Sequence, residues 1–169
     1  MKAIVGVVRW LISVLFLLRR RMGVKHRTCF FSRQASRLTP DFALLQQQLR
    51  KADPTMDIVT ICCRYRGRQD GLLRFLRQCV RSVFLAASAQ VCVLDGYWPT
   101  ICLLRDKRDL RVIQIWHSVG KIKKSGYQTL DKPSGRSGAM ARALCMHRNY
   151  DAIIAGGPAW NPFYCAAFD

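Results

Sequence analysis

The fold is decided by one stretch of the chain, which begins Val112-Ile113-Gln114-Ile115-Trp116-His117-Ser118 and continues through three lysines to Gly126. Its apolar, β-branched start predicts a buried strand that delivers His117 to its carboxyl end. In α/β domains, ligands bind beyond the carboxyl ends of parallel strands. A histidine beside clustered lysines at that place suits a base facing a phosphorylated ligand. The alternative is a surface histidine followed by a solvated, lysine-rich helix face.

Short apolar runs alternate with helical patterns on both sides of this stretch. Strands are predicted at 28–32, 57–63, 91–94, 111–115 and 152–155, and helices at 41–51, 71–87, 99–104, 136–147 and 158–168. The strands are continuously apolar, as in a parallel sheet covered on both faces, and the helix at 71–87 repeats its apolar residues at 3.6-residue spacing. The sequence therefore predicts a doubly wound, Rossmann-like α/β domain.

The charge of the chain is strongly positive: 28 lysines and arginines stand against 10 acidic residues, all of them aspartates, for a formal net charge of +18. Such a chain should seek polyanions, whether nucleic acid, anionic lipid or a phosphate-rich substrate. A nucleic-acid-binding module would leave the apolar amino terminus unexplained, and no reading element is visible, so we expect no nucleic-acid partner. Without glutamate, a general acid or base must be Asp, His, Cys, Lys or Tyr.

Metal and cofactor motifs are not apparent in the sequence. The eight cysteines lie mostly inside apolar runs and none forms a Cys-x-x-Cys pair, so we expect buried, reduced thiols in a cytosolic protein and no metal. Neither a Gly-x-Gly-x-x-Gly segment after the first strand nor a Walker loop is present, so no cofactor is expected. The basic loop at 132–138 is interpreted as a solvated linker. The alternative, a phosphate-binding loop, has the weaker support.

The amino terminus combines a long apolar run with positive charge. Residues 3–18 are apolar except for Arg9 and Ser13, and three arginines follow directly at 19–21. This pattern predicts that residues 1–22 form a helix lying in the membrane interface at the cytoplasmic face. Arg9 would extend to lipid headgroups, Trp10 would lie at the interface, and Arg19, Arg20 and Arg21 would attract anionic lipid. The alternatives are a short spanning anchor and a helix buried in a soluble protein.

Three stretches in order along the chain carry a family resemblance. They are Phe30-Phe31-Ser32-Arg33-Gln34 with Asp41-Phe42-Ala43-Leu44-Leu45, then Leu94-Asp95-Gly96-Tyr97-Trp98-Pro99, and then Gln114-Ile115-Trp116-His117-Ser118 with Lys121-Ile122-Lys123-Lys124-Ser125-Gly126. Together they resemble the CDP-glycerol glycerophosphotransferases, the membrane-associated primases and polymerases of teichoic acid synthesis. The third stretch resembles the family's Trp-His-Gly followed by Lys-Lys and Gly, with Ser118 where the family usually has glycine.

The resemblance implies an architecture of two Rossmann-like domains facing a cleft, the GT-B type. In the family the amino-terminal half handles the acceptor, and the carboxyl-terminal half grips the CDP end of the donor. Residues 25–169 would be the acceptor-side domain, and the donor-binding motifs of the family have no counterpart in this sequence. We therefore expect an amino-terminal portion that is inactive when alone.

The resemblance also implies a reaction and roles for single residues. An acceptor hydroxyl would attack the β-phosphorus of CDP-glycerol, or of a similar CDP-polyol, and release CMP. His117 would be the general base. Asp95 would orient or hydrogen-bond the acceptor, or else cap the next helix. The predicted phosphate-binding residues are Lys121, Lys123, Lys124, Arg33 and Arg64. The acceptor would be an anionic, lipid-linked polyol phosphate at the cytoplasmic membrane leaflet. His147 is predicted at a helix end with a surface role.

A basic nucleic-acid-binding protein is the least favoured alternative, and two related functions also remain open at this point. One is the half of a nucleotide-sugar glycosyltransferase of the GT-B type, and the other is a donor that carries ribitol in place of glycerol.

Overall fold

The computed structural model of the chain describes residues 2–65, 71–117, 124–133 and 135–168. Five strands and six helices follow one another in these ranges, together with short 3₁₀ turns at Gly126–Thr129 and Pro158–Trp160. The strands are Arg27–Ser32 (β1), Asp57–Cys62 (β2), Val91–Leu94 (β3), Arg111–Gln114 (β4) and Ala152–Ile153 (β5). The helices are Lys2–Arg21 (α1), Pro40–Ala52 (α2), Leu72–Ala87 (α3), Pro99–Leu103 (α4), Gly138–Ala143 (α5) and Asn161–Phe168 (α6).

The five strands form one parallel sheet in the order β2-β1-β3-β4-β5. The first strand along the chain, β1, lies inside the sheet. The next strand, β2, pairs with one edge of β1, and the chain then crosses to β3, which pairs with the opposite edge of β1. The gap between the carboxyl ends of β1 and β3 is therefore the switch point, where open α/β sheets bind ligands. The predicted doubly wound, Rossmann-like α/β fold is confirmed.

Alternate residues of the central strands face opposite layers. Cys29 and Phe31 of β1 pack in the same core cluster as Phe16 of α1, Phe75 of α3 and Ile101 of α4. On the other face, Phe30, Val93 and Ile115 pack with Phe42 of α2. The alternation follows the two-residue period of a strand, and it explains why these strands are apolar throughout.

The segment after α5 differs from the prediction. A helix was expected over residues 136–147, but α5 ends at Ala143. Cys145, His147 and Asn149 all have positive φ, which a helix does not allow. The Asn149 amide donates hydrogen bonds to the carbonyls of Ile101 and Leu104, at the end of α4. Contacts distant in sequence therefore override the local helical pattern.

Helix α1 packs against the domain through one face. The ring of Phe16 is fully buried, and the Arg20 guanidinium binds Asp109 and the carbonyls of Ala87 and Ala89. The Arg9 side chain donates to the Leu103 carbonyl at 3.3 Å, so here it contacts α4 and does not extend outward as predicted. Within the described ranges, no helix is both long and apolar enough to cross a membrane.

Candidate active site

Polar side chains at the ends of β1, β3 and β4 organise the switch point. The Ser32 hydroxyl accepts from the backbone N–H groups of Gln34 and Ala35, and so closes the turn after β1. Gln114 is fully buried at the end of β4, donates to the Gly96 carbonyl at 3.1 Å and accepts from the Trp116 N–H at 2.9 Å. One amide therefore fixes the loop after β3 to the loop after β4.

His117 is exposed and its ring is fixed from one side. Its Nδ1 lies 3.0 Å from the Asp95 carbonyl oxygen, which can only accept, so Nδ1 carries the proton in this contact. Nε2 is then the nitrogen that can take up a proton. The ring also lies against Trp116, with centroids 4.2 Å apart. Trp116 itself has φ of 60°, a costly conformation for a bulky residue, which is held by its bond to Gln114.

Asp95 lies behind His117 and does not reach solvent. It is 2% exposed, and neither carboxyl oxygen has a hydrogen-bond partner of good geometry among the described residues. Burial raises the pKa of the Asp95 carboxyl, while the Ser32 hydroxyl, the Arg33 N–H and His117 oppose that shift. The neighbours of Asp95 cover both oxygens in this structure, and the contact of Asp95 with an acceptor stays a prediction. Its backbone carbonyl positions His117.

A cationic cavity of about 410 Å³ opens at the switch point. Arg33 follows β1, Tyr97 follows β3, and Lys124 and Arg136 come from the segments beyond β4. The guanidinium carbons of Arg33 and Arg136 lie 5.5 Å and 5.4 Å from the centroid of the Tyr97 ring. The described residues that line the cavity include no carboxylate.

An apolar groove of about 590 Å³ lies on the other side of Trp116. Its wall consists mainly of Leu44 and Leu45 of α2, Ile115 and Ile154, and His117 lies in the same wall. Trp116 lines both the groove and the cationic cavity, so it forms the partition between them. His117 lines the groove, and its ring contacts the cavity only through Trp116.

The structure brings together only some of the predicted site residues. Arg33 and Lys124 line the cavity, whereas Arg64 is exposed beyond the edge strand β2 and lines neither the cavity nor the groove. Ser118, Lys121 and Lys123 lie outside the described residues.

His147 was placed at the surface by the sequence, and that prediction is wrong. The side chain is 7% exposed, and its ring lies 4.6 Å from Phe168 and within 6.4 Å of the Trp116 centroid. Its Nδ1 lies 3.1 Å from the Tyr150 hydroxyl, and it lines the cationic cavity. The segment that carries it folds back onto the sheet, so a helical pattern alone does not indicate its position.

Other residues of the site were not predicted. Gln114 did leave a signal, since it is a polar residue inside an apolar strand. Arg136 lies in the basic loop at 132–138, for which the solvated linker was the preferred interpretation, and Tyr97 lies in the second of the three family stretches. Neither signal places the two residues together, because their proximity depends on the folded loops. Among the described residues, no group of three His, Cys, Asp or Glu side chains could hold a metal ion.

The chain is similar to known proteins over most of its length. Residues 13–169 match the family model described as CDP-glycerol:poly(glycerophosphate) glycerophosphotransferase. The chain is 29% identical, over 90% of its length, to the teichoic acid ribitol-phosphate primase of Bacillus spizizenii, and the match covers 39% of that protein. It is 24% identical, over 78% of its length, to the teichoic acid poly(ribitol-phosphate) polymerase of the same organism, of which the match covers 20%.

A solved structure shares the fold. The wall teichoic acid polymerase TagF superposes on 96% of this chain with a TM-score of 0.60 and 14% sequence identity, and the match covers 41% of that structure. The chain therefore spans about two fifths of the length of TagF and of the ribitol-phosphate primase.

Proposed function

Because the chain belongs to the CDP-glycerol:poly(glycerophosphate) glycerophosphotransferase family, we propose that it forms the base-bearing, acceptor-side half of a polyol-phosphate transferase. The reaction would move a polyol phosphate from a CDP-activated donor to a teichoic-acid-type acceptor. The observation that carries the proposal is the fixed ring of His117, which contacts Trp116 in the wall of the cationic cavity.

His117 would act as the general base of this transfer. Its Nδ1–H bond to the Asp95 carbonyl leaves Nε2 to take the proton of the acceptor hydroxyl, whose oxygen attacks the β-phosphorus as the bond to CMP breaks. Phosphoryl transfer requires mainly positioning and charge neutralisation from the protein. Lys124 and Arg33 would supply positive charge from the cavity, together with Lys121 and Lys123 of the same sequence motif.

Two donors are candidates, and different findings favour each. The family description names glycerophosphate, whereas the two relatives described above are named for ribitol phosphate. Both CDP-glycerol and CDP-ribitol therefore belong in the activity assay.

A chimera tests the role of His117. Residues 13–169 would replace the matching part of the B. spizizenii ribitol-phosphate primase, and CMP release would be followed with each donor and a membrane acceptor. We expect His117→Ala to lower turnover by about 10² to 10⁴, the range for loss of a general base. The control is His26→Ala, because His26 pairs with Asp53 next to the start of β1, away from the strand ends that carry the site.

Two outcomes would contradict the proposal. Equal, small effects of His117→Ala and His26→Ala would leave His117 without a catalytic role. An active chimera whose turnover survives His117→Ala at all pH values would do the same. Far-UV circular dichroism of each variant shows whether a loss of turnover comes from unfolding.

We further propose that this half rests on the anionic cytoplasmic leaflet through α1 and α3. The outward face of α1 exposes large apolar side chains, and so does the outward face of α3, which packs beside it. The α1 residues are Ile4, Val7, Val8, Trp10, Leu11, Leu15 and Leu18, and the α3 residues are Leu72, Leu73, Leu76, Val80 and Phe84. Basic residues flank both faces: Arg19 and Arg21 on α1, and Arg74, Arg77 and Arg81 on α3. Apolar faces bordered by arginine suit an anionic bilayer surface.

A further inference from the structure

The cationic cavity contains a pair of arginines that the sequence motifs do not connect. Arg33 belongs to the loop after β1, and Arg136 lies more than 100 residues later, in the segment before α5. We infer that Arg33 and Arg136, held on the Tyr97 ring, form a subsite for a phosphate group in the cavity whose wall, Trp116, contacts His117. The inference rests on the proposed function only for the identity of the molecule that carries the phosphate.

The position of the pair is that of a ligand site. Arg33 and Tyr97 follow β1 and β3, whose carboxyl ends flank the switch point of the sheet. The loop that carries Arg33 is also coupled to the base: the Arg33 N–H contributes to the environment of Asp95, and the Asp95 carbonyl holds His117. A group bound between the arginines would therefore lie one loop away from the histidine.

The electrostatics of the pair favour an anion. Tyr97 is 5% exposed and its hydroxyl donates to the Leu144 carbonyl at 2.9 Å, so its ring is a fixed support. Two guanidinium groups over one ring repel each other, and burial together with Arg136 lowers the pKa of Arg33. Among the described residues, no ion pair includes Arg33, Arg136 or Lys124. A bound anion would neutralise this charge.

The chemistry of the side chains specifies the anion. A guanidinium presents a planar fork of N–H groups that matches two oxygens of a phosphate, and Lys124 adds a point charge. The cavity, at about 410 Å³, also leaves room for the organic group that the phosphate carries. A phosphate mono- or diester fits, and under the proposed function it would come from the acceptor or from the donor.

Binding to the 169-residue chain tests the subsite by calorimetry, without any transfer reaction. The probes are glycerol 3-phosphate for the acceptor and CDP for the donor. We expect Arg33→Gln and Arg136→Gln each to weaken binding about tenfold, since each removes charge-assisted hydrogen bonds. Arg33→Lys and Arg136→Lys should restore only part of the affinity, because lysine keeps the charge and loses the fork.

The matched control is Arg50→Gln, which removes one exposed charge near the carboxyl end of α2, away from the cavity. Arginine-dependent binding of glycerol 3-phosphate assigns the phosphate to the acceptor, and the same result with CDP assigns it to the donor; both uphold the subsite. Equal losses in the Arg50 variant, or no binding of either probe, overturn it. A thermal melt of each variant confirms folding.

Activity of the chimera separates this inference from the proposed function. Arginine-dependent binding without any transfer would overturn the proposed function and leave the subsite standing. Transfer that is unchanged by Arg33→Gln and Arg136→Gln would overturn the subsite and leave the function standing.

Discussion

Asp95 contributes to the site through its backbone and to the pH dependence of stability through its side chain. Its backbone carbonyl holds Nδ1 of His117, while its carboxyl lies buried behind the site. A buried carboxyl favours its neutral form, so the folded protein binds this proton more tightly than the unfolded chain does. The same residue thus fixes the candidate base and carries an energetic cost when it ionises.

We expect Asp95→Asn to change the pH dependence of stability. The raised pKa of Asp95 stabilises the folded state below the ordinary value of 3.8, and the benefit is lost as pH rises through the folded pKa. The neutral asparagine lacks this loss, so the free energy of unfolding of the variant relative to wild type should increase as pH rises from about 4. Urea unfolding between about pH 4 and pH 7 measures the difference.

The comparison uses Asp106→Asn as the control for loss of one negative charge, because Asp106 is exposed. A constant difference between Asp95→Asn and wild type over this pH range would refute the expectation. If the new amide of the Asp95→Asn variant has no hydrogen-bond partner, it lowers the free energy of unfolding by the same amount at every pH. Such a loss does not produce the predicted change with pH.

At the scale of elements, Gly126 begins the 3₁₀ turn Gly126–Thr129 and lies where this turn packs against α6. Its φ is +56°, and a Cβ at this position would lie 2.0 Å from the Ala167 carbonyl oxygen. We expect Gly126→Ala to lower the free energy of unfolding by at least about 2 kcal/mol, from the left-handed backbone and the displaced helix together. Thermal unfolding measures it, with a shift of roughly 4 °C or more.

Gly6 of α1 is the control for the loss of glycine itself. It lies inside a helix, and a Cβ added there would have no neighbour within 4 Å, so Gly6→Ala should stabilise the protein by about 0.5–1 kcal/mol. A Gly126→Ala variant that is as stable as Gly6→Ala would show that α6 can shift away without cost.

The elements were predictable where local pattern and tertiary contacts agree. Thr39 and Pro40 indicate the start of α2, and in the structure Thr39 caps it. The run that ends at His117 likewise forms β4 and brings the histidine to the expected edge of the sheet. The predictions failed where contacts between residues distant in sequence determine the position of a side chain. The aromatic cluster around His147 and the arginines over Tyr97 form only after loops far apart in sequence meet.

For the whole molecule, the structure changes how membrane association should be tested. Deleting residues 1–22 would remove Phe16 from the core and leave Asp109 without Arg20, so a loss of binding would be confounded by a loss of fold. Substitutions on the exposed face of α1 reduce this problem, because those side chains are exposed and lie outside the buried core.

We expect the double variant Leu11→Asp/Leu15→Asp to bind vesicles containing anionic lipid at least about tenfold more weakly, since each leucine that enters the interface contributes about 1.5–3 kcal/mol. Flotation with anionic and with zwitterionic vesicles measures this. The control Leu44→Asp changes an exposed leucine of α2, on the opposite face of the sheet, and should bind as wild type does.

High salt should release only part of the wild-type protein from the vesicles, because screening weakens the attraction between the arginines and anionic lipid but not the apolar contact. Complete release by salt, or equal binding by the double variant and the control, would show that α1 does not enter the interface.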